Sequence, residues 1–342
     1  MSDADSTFKR LIATVADGKS LSESEAVEAF NIMMSGEATP SQIAGFLIAL
    51  RIRGETVEEI TGAARIMREK ALKVSAPDDA IDVVGTGGDG AGTLNISTAT
   101  AIVVAGCGVP VAKHGNRAAS SKSGAADVLS ELGINLDADV PTVERAIREA
   151  GIGFLLAPAY HSSMRHVGPA RVEMGVRTIF NILGPLANPA SVKRLLVGTF
   201  AREWVEPMAQ VLGNLGTERA WVVHGADGLD ELTITGPSYV AELADGKVTT
   251  RELSPSDAGL PTASLDDIKG GTPAENAQAI RDLLNGQKGA YRDIALYGAS
   301  AALLIAGKVE SLTDGVAAAA AAIDDGKAAA ALAKLVEITS GE

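Results

Sequence analysis

The chain has 342 residues, 46% of them hydrophobic, 21% charged and 4% aromatic, with a net charge of −13 and a single cysteine. That length supports a sizeable core and two structural units, because single cores stop growing near roughly 250–300 residues. The acidic balance argues against a nonspecific nucleic-acid binder, and the one cysteine, Cys107, excludes an intramolecular disulfide. The first residues, with acids ahead of the apolar positions, lack the apolar core of a signal peptide, and no uninterrupted apolar run is long enough for a membrane span. The expected location is the cytoplasm.

Residues 1 to 72 read as helices. Ser22 with Glu25 three positions on forms a helix-start pattern followed by apolar residues at helical spacing. Thr39-Pro40 opens a second such start, leading into Ile43 to Arg53, and Thr56 to Glu59 a third. From Ile81 the pattern changes to alternating strands and helices. An apolar strand, Ile81 to Val84, runs into five glycines within eight residues, Gly85 to Gly92, then an Asn95-x-Ser97-Thr98 cap and a buried helix from Thr98 to Gly106. Val109 to Ala112 is the next strand, and it ends in a polar stretch, Lys113 to Gly124. Helices over Ala125–Leu132 and Pro141–Ala150 precede a strand over Gly153–Leu156. A polar helix broken at Gly168-Pro169 spans His161 to Glu173, and an apolar one spans Val176 to Leu183. Strands at Arg194–Gly198 and Ala220–Gly225 flank a helix over Pro207–Leu215, Tyr239 to Glu252 forms a strand pair about Asp245-Gly246, and three helices follow Pro273. Repeated strand–helix alternation predicts an α/β fold: a largely parallel central sheet flanked by helices, behind a small all-helical N-terminal domain. Ligands in such sheets bind beyond the C-terminal strand ends.

Both glycine-rich polar stretches fall at such ends. Backbone with few side chains can approach a polyanion, and the next helix start aims N–H groups at it. The first stretch is neither a Walker A nor a Rossmann sequence. In the second, Lys113, Arg117 and Lys122 lie among Asn116, Ser120, Ser121 and Ser123, cations among small hydroxyl residues in an acidic chain, which suits an anion. Adjacent acids Asp230-Glu231 at a third strand end repel unless a cation sits beside them, and hard oxygen ligands near a polyphosphate favour Mg²⁺. His114, His161, His166 and His224 have no zinc-ligand spacing, and the serines lie in no nucleophile elbow. His224 reads as a hydrogen-bonded core edge.

Taken together, Gly85-Thr86-Gly87-Gly88-Asp89, Asn95 to Thr98, Lys113-His114-Gly115-Asn116-Arg117, Gly168-Pro169-Ala170-Arg171, Val176 to Asn181 with Gly184-Pro185, and Asp227 to Glu231 closely resemble the anthranilate phosphoribosyltransferase family, in order and over nearly the full length. The resemblance implies a Mg²⁺-dependent transfer from 5-phosphoribosyl 1-diphosphate to anthranilate, releasing diphosphate, in tryptophan biosynthesis. It implies donor contacts at Gly85, Gly88, Asp89, Thr93, Asn95, Ile96, Ser97, Thr98, Lys113, His114, Gly115, Asn116, Arg117, Ala118, Ala119, Ser120 and Ser121. Metal ligands would be Ser97, Asp230 and Glu231, and the anthranilate contacts Gly85, Asn116 and Arg171, with Pro158 and His161 at the entrance. Lys113 and Arg171 would carry catalytic roles. The resemblance also implies a helical domain (1–72) joined by helices from about 162–185, an α/β domain (73–342), and a homodimer through the helical domain, with no nucleic-acid or membrane partner. One departure is Ala125, where family members commonly carry serine. A pyrimidine nucleoside phosphorylase, which resembles this chain in architecture, would open its loop with a Lys-His-Ser-Thr-Gly-Gly type motif instead. A noncatalytic nucleic-acid-binding relative would need a basic groove, against the −13 charge and the intact Asp230-Glu231 pair.

Overall fold

The computed structural model describes residues 3–117 and 122–341. Four helices come first: α1 (Asp3–Ala16), α2 (Glu23–Met34), α3 (Pro40–Arg53) and α4 (Val57–Lys70). Their starts are set locally. Ser22, Thr39 and Thr56 each accept from the amide three residues on, while Glu25, Gln42 and Glu59 bond back to the cap amide. Each such cap contributes about 1 kcal/mol.

The α/β part runs β1 (Ile81–Gly85), α5 (Ile96–Gly106), β2 (Val111–Gly115), α6 (Ala125–Glu131), α7 (Val140–Glu149), β3 (Ile152–Leu156), α8 (Ala157–Tyr160), α9 (Gly168–Met174), α10 (Phe180–Leu183), β4 (Arg194–Gly198), α11 (Val205–Asn214), β5 (Arg219–Gly225), β6 (Ser238–Ala244) and β7 (Lys247–Leu253). Helices α12 (Pro273–Leu284), α13 (Ala290–Ile305), α14 (Leu312–Asp324) and α15 (Lys327–Ser340) close the chain. Four helices therefore follow Pro273 where three were expected, because the turn at Asp325-Gly326, with Gly326 at φ 75°, divides the alanine-rich run.

The sheet order is β3-β2-β1-β4-β5-β6-β7, parallel from β3 to β5 and antiparallel at β6 and β7. Strand β1 lies third in this order, and chain order reverses between it and the central strand β4. Successive strand residues face opposite sides, so each side has its own core. Ile81, Val83 and Val111 pack under α5, α6 and the C-terminal helices. Val84, Ala112, Leu195 and Val222 pack with the N-terminal helices, α9, α10 and α11, so the helical unit's core is continuous with one sheet face. Cys107 is half-buried and its thiol is pushed up to about 11 by that burial. Among the described residues no helix is long and apolar enough to cross a membrane.

Two further expected elements change. Val176 to Leu183 is helical only over Phe180–Leu183, because long-range partners hold the preceding backbone: Arg51 Nη1 donates to the Arg177 carbonyl at 2.9 Å. Strand β2 starts and ends later than expected, at Val111 and Gly115, which places Lys113 and His114 inside the sheet rather than in the following loop.

Candidate active site

The reversal of strand order between β1 and β4 opens a cleft beyond their C-terminal ends. Gly85 and Gly198 are register partners there. A Cβ on Gly198 would fall 1.5 Å from the Asp230 carbonyl oxygen, and one on Gly85 would fall 2.4 Å from Asp230 Oδ2. Two side-chain-free positions on neighbouring strands thus admit the Asp230-Glu231 segment against the sheet ends. The glycine loop then wraps toward it, with Gly87, Gly88, Gly90 and Gly92 at φ between 64° and 77°, a region L side chains rarely enter. Gly87 N–H donates to Asp230 Oδ2 at 2.7 Å, and Ala91 N–H to Asp89 Oδ1 at 3.1 Å.

The charges are held out of bulk water. Burial, with Asp89 close by, pushes Asp230 up to about 7. Glu231 is raised well above its ordinary value, first by burial and then by Asp230. Lys113 lies across from them in β2, 2% exposed, its Nζ donating to the Val83 carbonyl at 2.6 Å and to Ser97 Oγ at 3.3 Å. Burial lowers its pKa, while Asp82, Glu231 and Asp230 draw it back up. Three carboxylates with one buried ammonium are short of positive charge. Oxygen donors from Ser97, Asp230 and Glu231 suit a hard cation such as Mg²⁺, which typically takes one or two carboxylates and completes its shell with water and phosphate oxygens. Among the described residues no group of three or more His, Cys, Asp or Glu side chains could hold a metal by itself.

The remaining donor-contact candidates divide by face. Ser97 and Thr98 lie on the first turn of α5, and Thr98 Oγ1 is buried with no partner among the described residues. The Ile96 side chain belongs to the core, so only its backbone is available. Thr93 is bridged to Lys269, and Asn116 and Arg117 are exposed just past β2. The Arg117 guanidinium pairs with Asp127 at 3.3 Å. Ala118, Ala119, Ser120 and Ser121 lie outside the described residues. The His114 side chain sits on the opposite face from Lys113. Its Nδ1 is 3.1 Å from the Gly184 carbonyl, its ring centroid is 5.2 Å from that of His161, and its own N–H donates to buried Asp82. Burial holds both rings neutral, at about 3 for His114 and about 4 for His161.

Asn95 is not the expected side-chain cap. It occupies the cap position, but its Oδ1 accepts from Asn276 Nδ2 at 2.8 Å and from Ser123 Oγ at 3.2 Å. Asn276 thus joins the α12 start to the glycine loop, and nothing local in the sequence signals this. His224 is the expected hydrogen-bonded core edge, with Nδ1 2.8 Å from the Thr199 carbonyl.

On the helical-domain side, Arg171 projects from α9, its guanidinium carbon 5.0 Å from the Phe180 ring centroid. Its pKa is lowered by burial, and among the described residues it makes no ion pair. A half-buried guanidinium without an acidic partner has the charge and the planar fork that a carboxylate would fit. Pro158 is exposed on α8 at the end of β3, and buried His161 follows that helix.

A helical bundle ahead of an α/β domain recurs in known proteins. Residues 77–329 match a glycosyl transferase family a/b domain, and residues 9–71 the helical bundle domain of the same family. An anthranilate phosphoribosyltransferase of Rhodospirillum rubrum is 62% identical over 331 residues, covering 97% of this chain and 95% of its own. One from Rhodopseudomonas palustris (strain BisB18) is 60% identical over 97% of this chain and 98% of its own. The crystal structure of the Thermus thermophilus enzyme superposes with a TM-score of 0.92 at 45% identity, covering 96% of this chain and 99% of its own. The Saccharomyces cerevisiae enzyme in complex with PRPP and Mg gives 0.89 at 28% identity, covering 100% and 99%. The same yeast enzyme has also been solved in complex with 4-fluoroanthranilate. With identity above 60% over almost its whole length, the chain belongs to the anthranilate phosphoribosyltransferase family.

Proposed function

We propose that the chain transfers the phosphoribosyl group of 5-phosphoribosyl 1-diphosphate to the amine of anthranilate, giving N-(5-phosphoribosyl)anthranilate and diphosphate in tryptophan biosynthesis. The observation that carries the site assignment is the gathering of the glycine loop, Ser97, Lys113 and Asp230-Glu231 at one strand reversal, with the Arg171 guanidinium on the helical side. The ligands named for the yeast relative, PRPP, Mg and an anthranilate analogue, fit these two halves.

Displacement at the ribose C1 builds positive charge on the sugar and negative charge on the leaving diphosphate. The loop amides, the N-terminal turn of α5 and the Lys113 ammonium supply donors and positive potential for that anion. Mg²⁺, held by Ser97, Asp230 and Glu231, supplies charge neutralisation for the diphosphate when bound. Lys113 also orients the Ser97 hydroxyl through their hydrogen bond. Arg171 pairs the anthranilate carboxylate and, with Asn116 and the bare Gly85 position, aims the amine at C1. An aromatic amine is uncharged at neutral pH, so its lone pair attacks without prior deprotonation, and the surplus proton leaves to solvent after the bond forms.

The same reading assigns residues 1–72, with 162–185, to the anthranilate-side domain and 73–342 to the donor domain. It joins two copies through the helical domain, where Ile52 of α3 and Val172 of α9 stand 81% and 82% exposed on neighbouring helices. It places the protein in the cytoplasm, where a charged donor that does not cross membranes is made and used. The test follows anthranilate fluorescence with and without donor and Mg²⁺. Loss of fluorescence that requires both supports the assignment; thymidine or uridine phosphorolysis without anthranilate consumption overturns it.

A further inference from the structure

Arg177 is exposed and is assigned no substrate contact above, yet it makes three contacts of its own. Its Nη2 donates to the Gly88 carbonyl, in the middle of the glycine loop. Its guanidinium carbon lies over the Phe200 ring, 4.3 Å from the centroid. Its own carbonyl accepts from Arg51 Nη1 of the helical unit at 2.9 Å. Phe200 is itself tied to the loop, because its N–H donates to Thr86 Oγ1 at 3.0 Å, and Thr86 N–H donates to the Gly198 carbonyl at 2.9 Å. The contacts close a ring: Thr86, Phe200, Arg177, Gly88.

We propose that Arg177 is a positioning residue that pins the glycine loop in its donor-ready shape against the Phe200 shelf. The loop needs such a fastener. Four of its residues are glycines with positive φ, which are free to explore much more backbone space than other residues, and the amides not already given to Asp230, Asp89 and Gly198 must face one polyanion together. Arg177 adds a hold at Gly88, between the loop's other tethers, Gly87 to Asp230 and Gly92 to Gly270. Because Arg177 follows Arg171 by six residues and its backbone is held from α3, the segment that presents the anthranilate carboxylate's partner is also the one that sets the donor loop.

This inference rests on the donor-site reading above. Wild-type turnover tests that reading, and the variants below, compared with wild type, test this one. Arg177→Ala is expected to raise KM for the phosphoribosyl donor about tenfold, the loss of one charge-assisted hydrogen bond near the surface. KM for anthranilate should stay near the wild-type value. Amide exchange across residues 85–95 should speed up in the ligand-free protein. Phe200→Leu, which leaves the charge in place and removes the shelf, should raise donor KM in the same direction, and the double variant should be no worse than Arg177→Ala alone. Should Arg177→Ala fail to fold, Phe200→Leu with the exchange measurement carries the test. Unchanged loop exchange with additive effects would mean that Arg177 acts as a simple charge on the anion, and an unchanged donor KM would remove it from the site; either overturns the proposal.

Discussion

Gly198→Ala is the sharpest test of how the cleft is built. The new Cβ would lie 1.5 Å from the Asp230 carbonyl oxygen and 2.5 Å from its carbonyl carbon. Non-bonded contacts of this kind relax near 3.5 Å, so the Asp230 backbone must retreat by about 2 Å or the end of β4 must bend. Neither is cheap, since Gly198 is paired with both Gly85 and Val223. Overpacking of this kind costs about 1–3 kcal/mol, which a chain of this size survives. The site suffers more. Asp230 Oδ2 holds Gly87, so its retreat displaces both the carboxylate and the loop amides, and misplacement of reacting groups by about 1 Å costs about a hundredfold in rate. Gly85→Ala meets chiefly the Asp230 side chain, with Oδ2 at 2.4 Å and Cγ at 3.0 Å, which a side-chain rotation can relieve. Turnover should therefore fall in the order wild type, Gly85→Ala, Gly198→Ala, with the last at least about a hundredfold down. The assay is anthranilate consumption at saturating donor and Mg²⁺, with circular dichroism and melting temperature confirming a folded protein. A folded Gly198→Ala enzyme within about threefold of wild type, or less impaired than Gly85→Ala, would refute the argument that these glycines seat Asp230.

Arg171→Ala should raise KM for anthranilate about ten- to a hundredfold with a smaller effect on donor KM, as expected for a lost carboxylate partner; steady-state kinetics in both substrates decides it. Replacing Asp230 by Asn and Glu231 by Gln removes two half-buried carboxyl groups, each pushed up by burial and a neighbouring acid, so the ligand-free protein should melt no lower than wild type while Mg²⁺-dependent donor binding is lost. Calorimetry of donor binding reads the loss, and wild-type affinity in that variant would exclude both as metal ligands. The buried rings of His114 and His161 make stability depend on pH in one direction. Their folded values, about 3 and about 4, lie below the unfolded value of 6.5, so below pH 6.5 the unfolded chain binds protons that the folded one refuses. Their contribution is complete above pH 6.5 and falls by up to about 1.4 kcal/mol per pH unit per ring down toward pH 4. Urea titrations between pH 4 and 7 should show that slope reduced in His161→Phe, and an identical slope would contradict it.

What could be read from sequence and what could not divide along physical lines. Caps at Ser22, Thr39 and Thr56 were legible because donor and acceptor lie three residues apart. The alternation of strands and helices is legible because apolar runs and glycine breaks are local too, and it points both polar stretches to strand ends. Asp230-Glu231 is legible as a pair of acids, but its place beside Gly85 is visible only in the fold, since 145 residues of chain separate them. Lys113 was read as the first cation of a loop, and it is a buried residue of β2. A lysine inside a strand violates the local pattern, and the compensation lies in Asp82, Asp230 and Glu231, none of them adjacent to it. Asn95 was read as a cap because Asn commonly caps, whereas Asn276 and Ser123 offer it better partners from afar. The helix expected over Val176 to Leu183 loses its first turn to Arg51, which takes the Arg177 carbonyl. Gly198 is the extreme of this series. In sequence it is the last residue of a short apolar strand, and a glycine there suggests only a turn. Pairing β1 with β4 is what sets it against the Asp230 carbonyl, so the position of the proposed metal-binding carboxylates depends on a side chain that is missing, and absence of that kind has no local signature.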